Sequence, residues 1–455
     1  MTLLAFLFAI GLLVAVHEWG HYRVAVACGV KVYTFSIGLG PTLFRWRLKR
    51  SHPGQDTEFQ IRLFPLGGYV RMADEREGDV IAADLPMAFN RQALRSRAAI
   101  VLAGPLANLM LAVLLFGGMN WVGRYETAPI LSAPLANSEA GRAGFGSGDK
   151  VLRVGLSDQA LMPAESLEAL QAWVNAQDTT QPLYFELRAQ DSRVARIVRL
   201  DGVGETLVHS DPWRDRGLGG PWSKPVVGHV LPQDPADLAG LKSGDEVLRI
   251  DGESIDDASQ LRMLIRLSGK SQQPSEQVWQ IVRQNHALTL VVTPVRVAEG
   301  DAWIGRVGAQ IGDAPERIWL EYRSFDAVER AFAQTWQNAT MTVGLLGRLL
   351  VSAATWEQVG GPLMIADYAG RSAQMGLGVY LGYLATLSVS LGVFNLLPFP
   401  VLDGGHLLYY LYEFVTGKSP SESWLGMMQR LGLVLLFSLM IFSLLNDAAR
   451  LGWMG

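Results

Sequence analysis

Residues 2–30, TLLAFLFAIGLLVAVHEWGHYRVAVACGV, run uncharged through Val16 and then place His17, Glu18 and His21 inside the same apolar stretch. The run is long enough to cross a bilayer as a helix, expected over residues 1–30. It lacks the basic n-region and small-residue cleavage site of a signal peptide, so a retained span is expected. On a helix, positions i and i+4 share a face. Both imidazoles of His17-Glu18-Trp19-Gly20-His21 can therefore reach one zinc ion, with Glu18 close enough to handle a proton. Ionisable side chains in a membrane segment are costly and mark function.

Outward from this segment, three further apolar runs are long enough to span: 98–122, 376–403 and 424–446. Of the 455 residues, 49% are hydrophobic and 18% charged, a balance of membrane spans with soluble segments. A net charge of −4 gives no support for a nucleic-acid partner. Cys28, the only cysteine, excludes an intramolecular disulfide and a cysteine-based zinc cluster. A metal must rest on histidine and carboxylate. Basic residues crowd 31–97, from Lys31 through Arg62 and Arg71 to Arg97, and none precedes the first span. The positive-inside rule makes that loop cytoplasmic and puts both termini and the long middle region outside the cytoplasm.

The middle region repeats itself. Ala143-Gly144-Phe145-Gly146-Ser147-Gly148-Asp149 aligns without gaps on Ala239-Gly240-Leu241-Lys242-Ser243-Gly244-Asp245, and the match continues to Val154 and Ile250. Self-similarity at a fixed offset means two copies of one small domain, each reading as helix, Gly-Asp turn and alternating strand. The pattern resembles a tandem of PDZ domains over 127–205 and 221–297. Such domains hold peptides by strand addition, and equally they can act as spacers or gatekeepers. Residues 59–72, FQIRLFPLGGYVRM, read as a β-hairpin with Gly67-Gly68 as its turn. Residues 315–372, with Trp319, Trp336 and Trp356, read as amphipathic interfacial helices, since Arg348 and Glu357 oppose a full span. The expected fold is thus a four-span α-helical membrane protein with a membrane-associated hairpin on the cytoplasmic side and two extracytoplasmic mixed α/β domains.

Catalytic zinc takes three protein ligands and leaves a position for water. Asp403, at the end of the third run in Asn395-Leu396-Leu397-Pro398-Phe399-Pro400-Val401-Leu402-Asp403-Gly404-Gly405-His406, is the best third ligand. Topology supports it. The first span enters from outside and reaches His17 after about 23 Å at 1.5 Å per residue. The third also runs inward and ends at Asp403, while the second starts inside, which places Gly104, Pro105 and Asn108 at a similar depth. Pro398 and Pro400 cannot continue a regular helix. Irregular backbone at membrane depth is tolerated beside protein or a water-filled cavity, which a hydrolase needs. His406 reads as a residue outside the ligand set.

The three motifs, HEWGH, Gly104-Pro105-Leu106-Ala107-Asn108 and NLLPFPVLDGG, resemble the HExxH, GPxxN and NxxPxPxLDGG signatures of the site-2 protease family. The repeat between the second and third spans is similar to its bacterial regulator of sigma-E protease type. The resemblance covers nearly the whole chain. It implies an intramembrane metalloendopeptidase of a bacterial inner membrane. One zinc would be bound by His17, His21 and Asp403, with Glu18 catalytic and Asn395 supporting substrate or transition state. Pro398, Pro400, Gly67, Gly68, Tyr69 and Asn108 complete the expected substrate-supporting set. The implied substrates are single-span membrane proteins already trimmed outside, such as an anti-sigma factor or remnant signal peptides. A PDZ-bearing membrane adaptor with an inactive site, or a zinc sensor or transporter, is the competing reading. Glu18 argues against the first, and the lack of further histidines or acids on spans two and three argues against the second.

Overall fold

The computed structural model describes residues 2–47, 55–76, 78–203, 211–271, 275–299, 302–323, 325–351 and 361–450. They form two compact units, one of Met1–Arg124 with Glu321–Gly455, the other of Tyr125–Leu320.

Among the described residues of the first unit, four helices are long and apolar enough to cross a membrane: Thr2–Ala27, Leu94–Val122, Leu377–Asn395 and Ser423–Asp447. The first and second pack closely because Gly20 lacks a side chain. A Cβ there would overlap the Ala103 carbonyl oxygen and come within 2.8 Å of Ala107 Cβ. The second and third share a core of Ala112, Val113, Phe116, Met119, Ala385, Val389 and Val393. Ser388 Oγ donates to the Asn108 carbonyl at 2.7 Å across the same interface. The second helix starts at Leu94, ahead of the expected 98, and so takes in Arg95 and Arg97. Arg97 is tolerated because its guanidinium donates to both Glu413 oxygens, at 3.2 and 2.6 Å, and lies 5.2 Å over the Tyr410 ring.

Three expectations need correction. The third span does not reach Asp403. Its helix stops at Asn395, and Asp403 opens a separate helix, Asp403–Thr416. Pro398 and Pro400 supply no N–H to continue the helix Leu377–Asn395. Bare Gly404 and Gly405 then let the new helix fold back on the Leu397 and Phe399 carbonyls, which a Cβ at either position would overlap.

The Gly67-Gly68 pair is not a turn. It lies inside one long strand, Glu58–Met72, paired with Val32–Arg47. Residues 34–37 are flanked on both sides: Phe35 faces Val70 and also Phe59, and Ile37 faces Gly68 and also Ile61. The chain changes sides between residues 61 and 68, and glycine is required at 68 for close approach. A Cβ on Gly68 would sit 2.8 Å from the Ser36 carbonyl oxygen and 3.0 Å from Val14 Cγ1.

The region expected as interfacial helices begins instead with a strand, Arg317–Leu320, on which Trp319 meets Tyr125 edge-on at 4.9 Å. The β-branched Ile318 and the aromatic Trp319 suit a strand better than a helix. Helices follow at Phe325–Val351, which includes Arg348, and at Pro362–Gln374. Trp336 is exposed. Trp356 and Glu357 lie outside the described residues. The helix Pro362–Gln374 is capped by Asp447, whose carboxylate accepts from the N–H groups of Gly361 at 2.9 Å and Leu363 at 3.0 Å.

The second unit repeats one motif. Strand Asp149–Gly155 pairs with Leu183–Arg188 beside helix Leu167–Asn175, and strand Glu246–Ile250 pairs with Gln277–Arg283 beside helix Ala258–Ser268. The aligned turns match atom for atom: Gly146 N–H donates to Asp149 and Lys242 N–H to Asp245, both at 2.8 Å. Each aspartate also takes an arginine, Arg196 at 2.6 Å and Arg283 at 2.7 Å. Burial alone would raise the Asp245 carboxyl, yet the Arg283 guanidinium and the Lys242 N–H hold it below its ordinary range. The apolar sides of the two sheets close separate cores, around Phe185 and Leu187 in one copy and Trp279 and Ile281 in the other.

Candidate metal centre

His17 and His21 stand one turn apart on the first helix and face the start of helix Asp403–Thr416. Asp403 Oδ2 lies 3.2 Å from His17 Nε2 and 3.5 Å from His21 Nε2, and the two Nε2 atoms are 3.2 Å apart. One ligand atom from each residue falls within 4.8 Å of the others. The buried Oδ2 accepts no well-formed hydrogen bond. An acceptor held this way against two imidazole nitrogens is poorly satisfied by protein alone. A divalent cation among the three atoms would satisfy it, and two imidazoles with one carboxylate form a zinc-hydrolase donor set.

The second helix shapes the histidine pair. His21 Nδ1 donates to the Ile100 carbonyl at 2.8 Å, which leaves the Nε2 lone pair facing the cluster. The Asn108 side-chain nitrogen lies 3.2 Å from His17 Nδ1. Between these supports, both rings rest against Gly104. A Cβ there would overlap His21 Nε2 and come within 2.6 Å of His21 Cε1 and 2.8 Å of His17 Cε1. Glu18 follows His17 on the helix and passes the sheet at Gly68, where a Cβ would lie 2.9 Å from Glu18 Cγ.

The structure therefore brings His17, His21, Asp403 and Asn108 together, with Glu18 and Gly68 alongside. Asn395 is the last residue of its helix, half-buried, and its side chain makes no hydrogen bond among the described residues. Pro398 and Pro400 lie in the bend that leads to Asp403. Gly67 continues the strand at Gly68, and Tyr69 is turned to Arg62, whose Nη2 donates to its hydroxyl at 2.7 Å. His406 is outside the cluster and meets Tyr409 edge-on at 5.8 Å. Gly104 as a seat for the imidazoles, Gly68 as a seat for Glu18, and the Arg97–Glu413 pair were not assigned from sequence. For Gly104 the available signals were its place in the Gly104-to-Asn108 motif and a glycine inside a helical run, unfavourable by propensity.

A model of peptidase family M50 matches residues 5–439. The regulator of sigma-E protease RseP of Escherichia coli K12 is 35% identical over 463 residues, which cover 99% of this chain and 98% of that protein. A protein of Ralstonia nicotianae designated a candidate zinc metalloprotease is 36% identical over 479 residues, 99% of each chain. Another so designated, from Neisseria meningitidis serogroup A, is 39% identical over 469 residues, again 99% of each. With the family matched across nearly all of its length, this chain belongs to peptidase family M50, the site-2 proteases, and is a zinc-dependent metalloprotease with membrane-spanning helices.

Proposed function

We propose that this chain cuts single-span membrane proteins within or beside the bilayer, at one zinc ion held by His17, His21 and Asp403. The observation that carries the reading is the meeting of three ligand atoms within 4.8 Å around the otherwise unsatisfied Asp403 oxygen, two of them on a helix apolar enough to span. Bound zinc would acidify water and polarise a carbonyl. Glu18 takes the proton of the attacking water on its carboxylate and passes it to the departing amine nitrogen. Asn395, with its amide uncommitted, donates to the developing oxyanion. Pro398 and Pro400 keep the backbone ahead of Asp403 irregular, where water can reach it.

Substrate is a membrane helix that has to unwind before its peptide bonds are accessible. Residues 68–72 form an outer segment of the small sheet, with Gly68 against Glu18. The freed segment adds to that edge as a strand. N-methylation of substrate amides flanking the scissile bond should slow cleavage at unchanged sequence; equal rates would remove strand addition from the mechanism.

The resemblance to RseP supports an inner membrane, and the basic residues of 31–97 support a site near the cytoplasmic face with both termini outside. The substrates would be of the anti-sigma-factor or remnant-signal-peptide kind. Residues 127–205 and 221–297 act as tandem PDZ domains that turn away substrates with large outer domains, with peptide binding in their grooves as a further role. A single-span substrate in proteoliposomes, offered trimmed and untrimmed, tests both levels. The full chain should cut the trimmed form, and a chain lacking 127–297 should cut both. Failure on every membrane substrate sinks the function, and unchanged selectivity after deletion sinks the gate.

A further inference from the structure

Asn108 is fully buried on the second span, and its Oδ1 has no hydrogen-bond partner among the described residues. Its Nδ2 is 3.2 Å from His17 Nδ1. His17 meanwhile points Nε2 into the cluster, 3.2 Å from Asp403 Oδ2. A neutral imidazole that offers one nitrogen's lone pair to a metal carries its proton on the other. With zinc at Nε2, Nδ1 of His17 is a donor and needs an acceptor. An amide nitrogen facing it would set donor against donor. The oxygen and nitrogen of a side-chain amide are distinguished only by their hydrogen bonds. A half-turn of the Asn108 amide presents the orphaned Oδ1 to Nδ1–H.

We infer that Asn108 is the positioning residue for His17: its amide oxygen accepts the Nδ1 proton and thereby fixes the tautomer and ring orientation that leave Nε2 free for zinc. The inference rests on the zinc reading of His17 given above, and it assigns Asn108 away from substrate, which a fully buried side chain does not touch. His21 already shows the equivalent arrangement, with Nδ1–H on the Ile100 carbonyl at 2.8 Å. Both supports come from one face of the same helix, about two turns apart at 3.6 residues per turn. The Asn108 backbone is held in turn by Ser388 Oγ of the third span, at 2.7 Å. The second span thus carries an acceptor for each histidine and, at Gly104 between them, the gap in which the rings sit.

The test is zinc affinity of the metal-stripped full-length chain in detergent, by competition with a chromophoric chelator. Asn108→Leu removes the acceptor and should weaken affinity by about 10–100-fold. Asn108→Asp, which can only accept when ionised, should bind within a few-fold of wild type. Wild-type affinity in Asn108→Leu, or equal loss in both variants, overturns the inference. Nitrogen-15 spectra of the zinc-loaded wild type give a second readout that needs no variant: His17 protonated at Nδ1 supports the assignment, and protonation at Nε2 overturns it. If the wild-type chain takes up no zinc, or His17→Ala takes it up as well as wild type, the zinc reading and this inference fall together. If wild type and His17→Ala differ but Asn108→Leu does not, this inference alone falls.

Discussion

Glu18→Gln is expected to slow cleavage of a single-span substrate by about 10²–10⁴-fold, the usual contribution of a general base, while zinc content stays at the wild-type level. Glutamine keeps the size of the side chain and its passage beside Gly68. It removes only the capacity to take a proton. Glu18 is not among the three residues whose ligand atoms converge, so the ion should not depend on it. Turnover in proteoliposomes and metal analysis of the same preparation separate the possibilities. Full activity removes Glu18 as the base, and loss of zinc with activity makes it a ligand instead.

Gly104→Ala should be nearly as damaging, although helix propensity alone favours alanine by about 1 kcal/mol. The added methyl would overlap His21 Nε2 and lie 2.8 Å from His17 Cε1, so it displaces both rings at once. Neither ring has slack. His21 is tied to the Ile100 carbonyl, and the two helices already touch at Gly20 through Ala103 and Ala107. Displacement of catalytic groups by about 1 Å commonly costs about 10²-fold in rate. The expected result is at least that loss, with weakened zinc retention and an unchanged helical circular dichroism spectrum. Wild-type turnover in Gly104→Ala would show that the imidazoles do not need this seat.

What could be read in the sequence was whatever depends on local pattern. Four apolar runs became four long helices because a bilayer-length apolar segment has few alternatives to a helix. HEWGH placed two imidazoles on one face because helical spacing alone does so, and the expectation that the first and third runs share a direction pointed to Asp403, which does meet them. The two Gly-Asp turns were legible as a repeat, and their backbones agree, with Gly148 and Gly244 at φ 79° and 92°. Close approach between distant segments was not legible. Gly67-Gly68 has the composition of a turn, and the approach of Ser36, Val14 and Glu18 to Gly68 leaves no mark in that composition. The helix Asp403–Thr416 was missed because Glu413 and three tyrosines dilute its apolar character. Its charge is accommodated by Arg97, a partner 316 positions away.

The most direct test of the account is the zinc count of the purified full-length chain, wild type beside Asp403→Ala. The account predicts one zinc per wild-type chain and little in the variant, since two imidazoles on one helix would be left without the carboxylate that closes the site. Equal zinc in both proteins would contradict it.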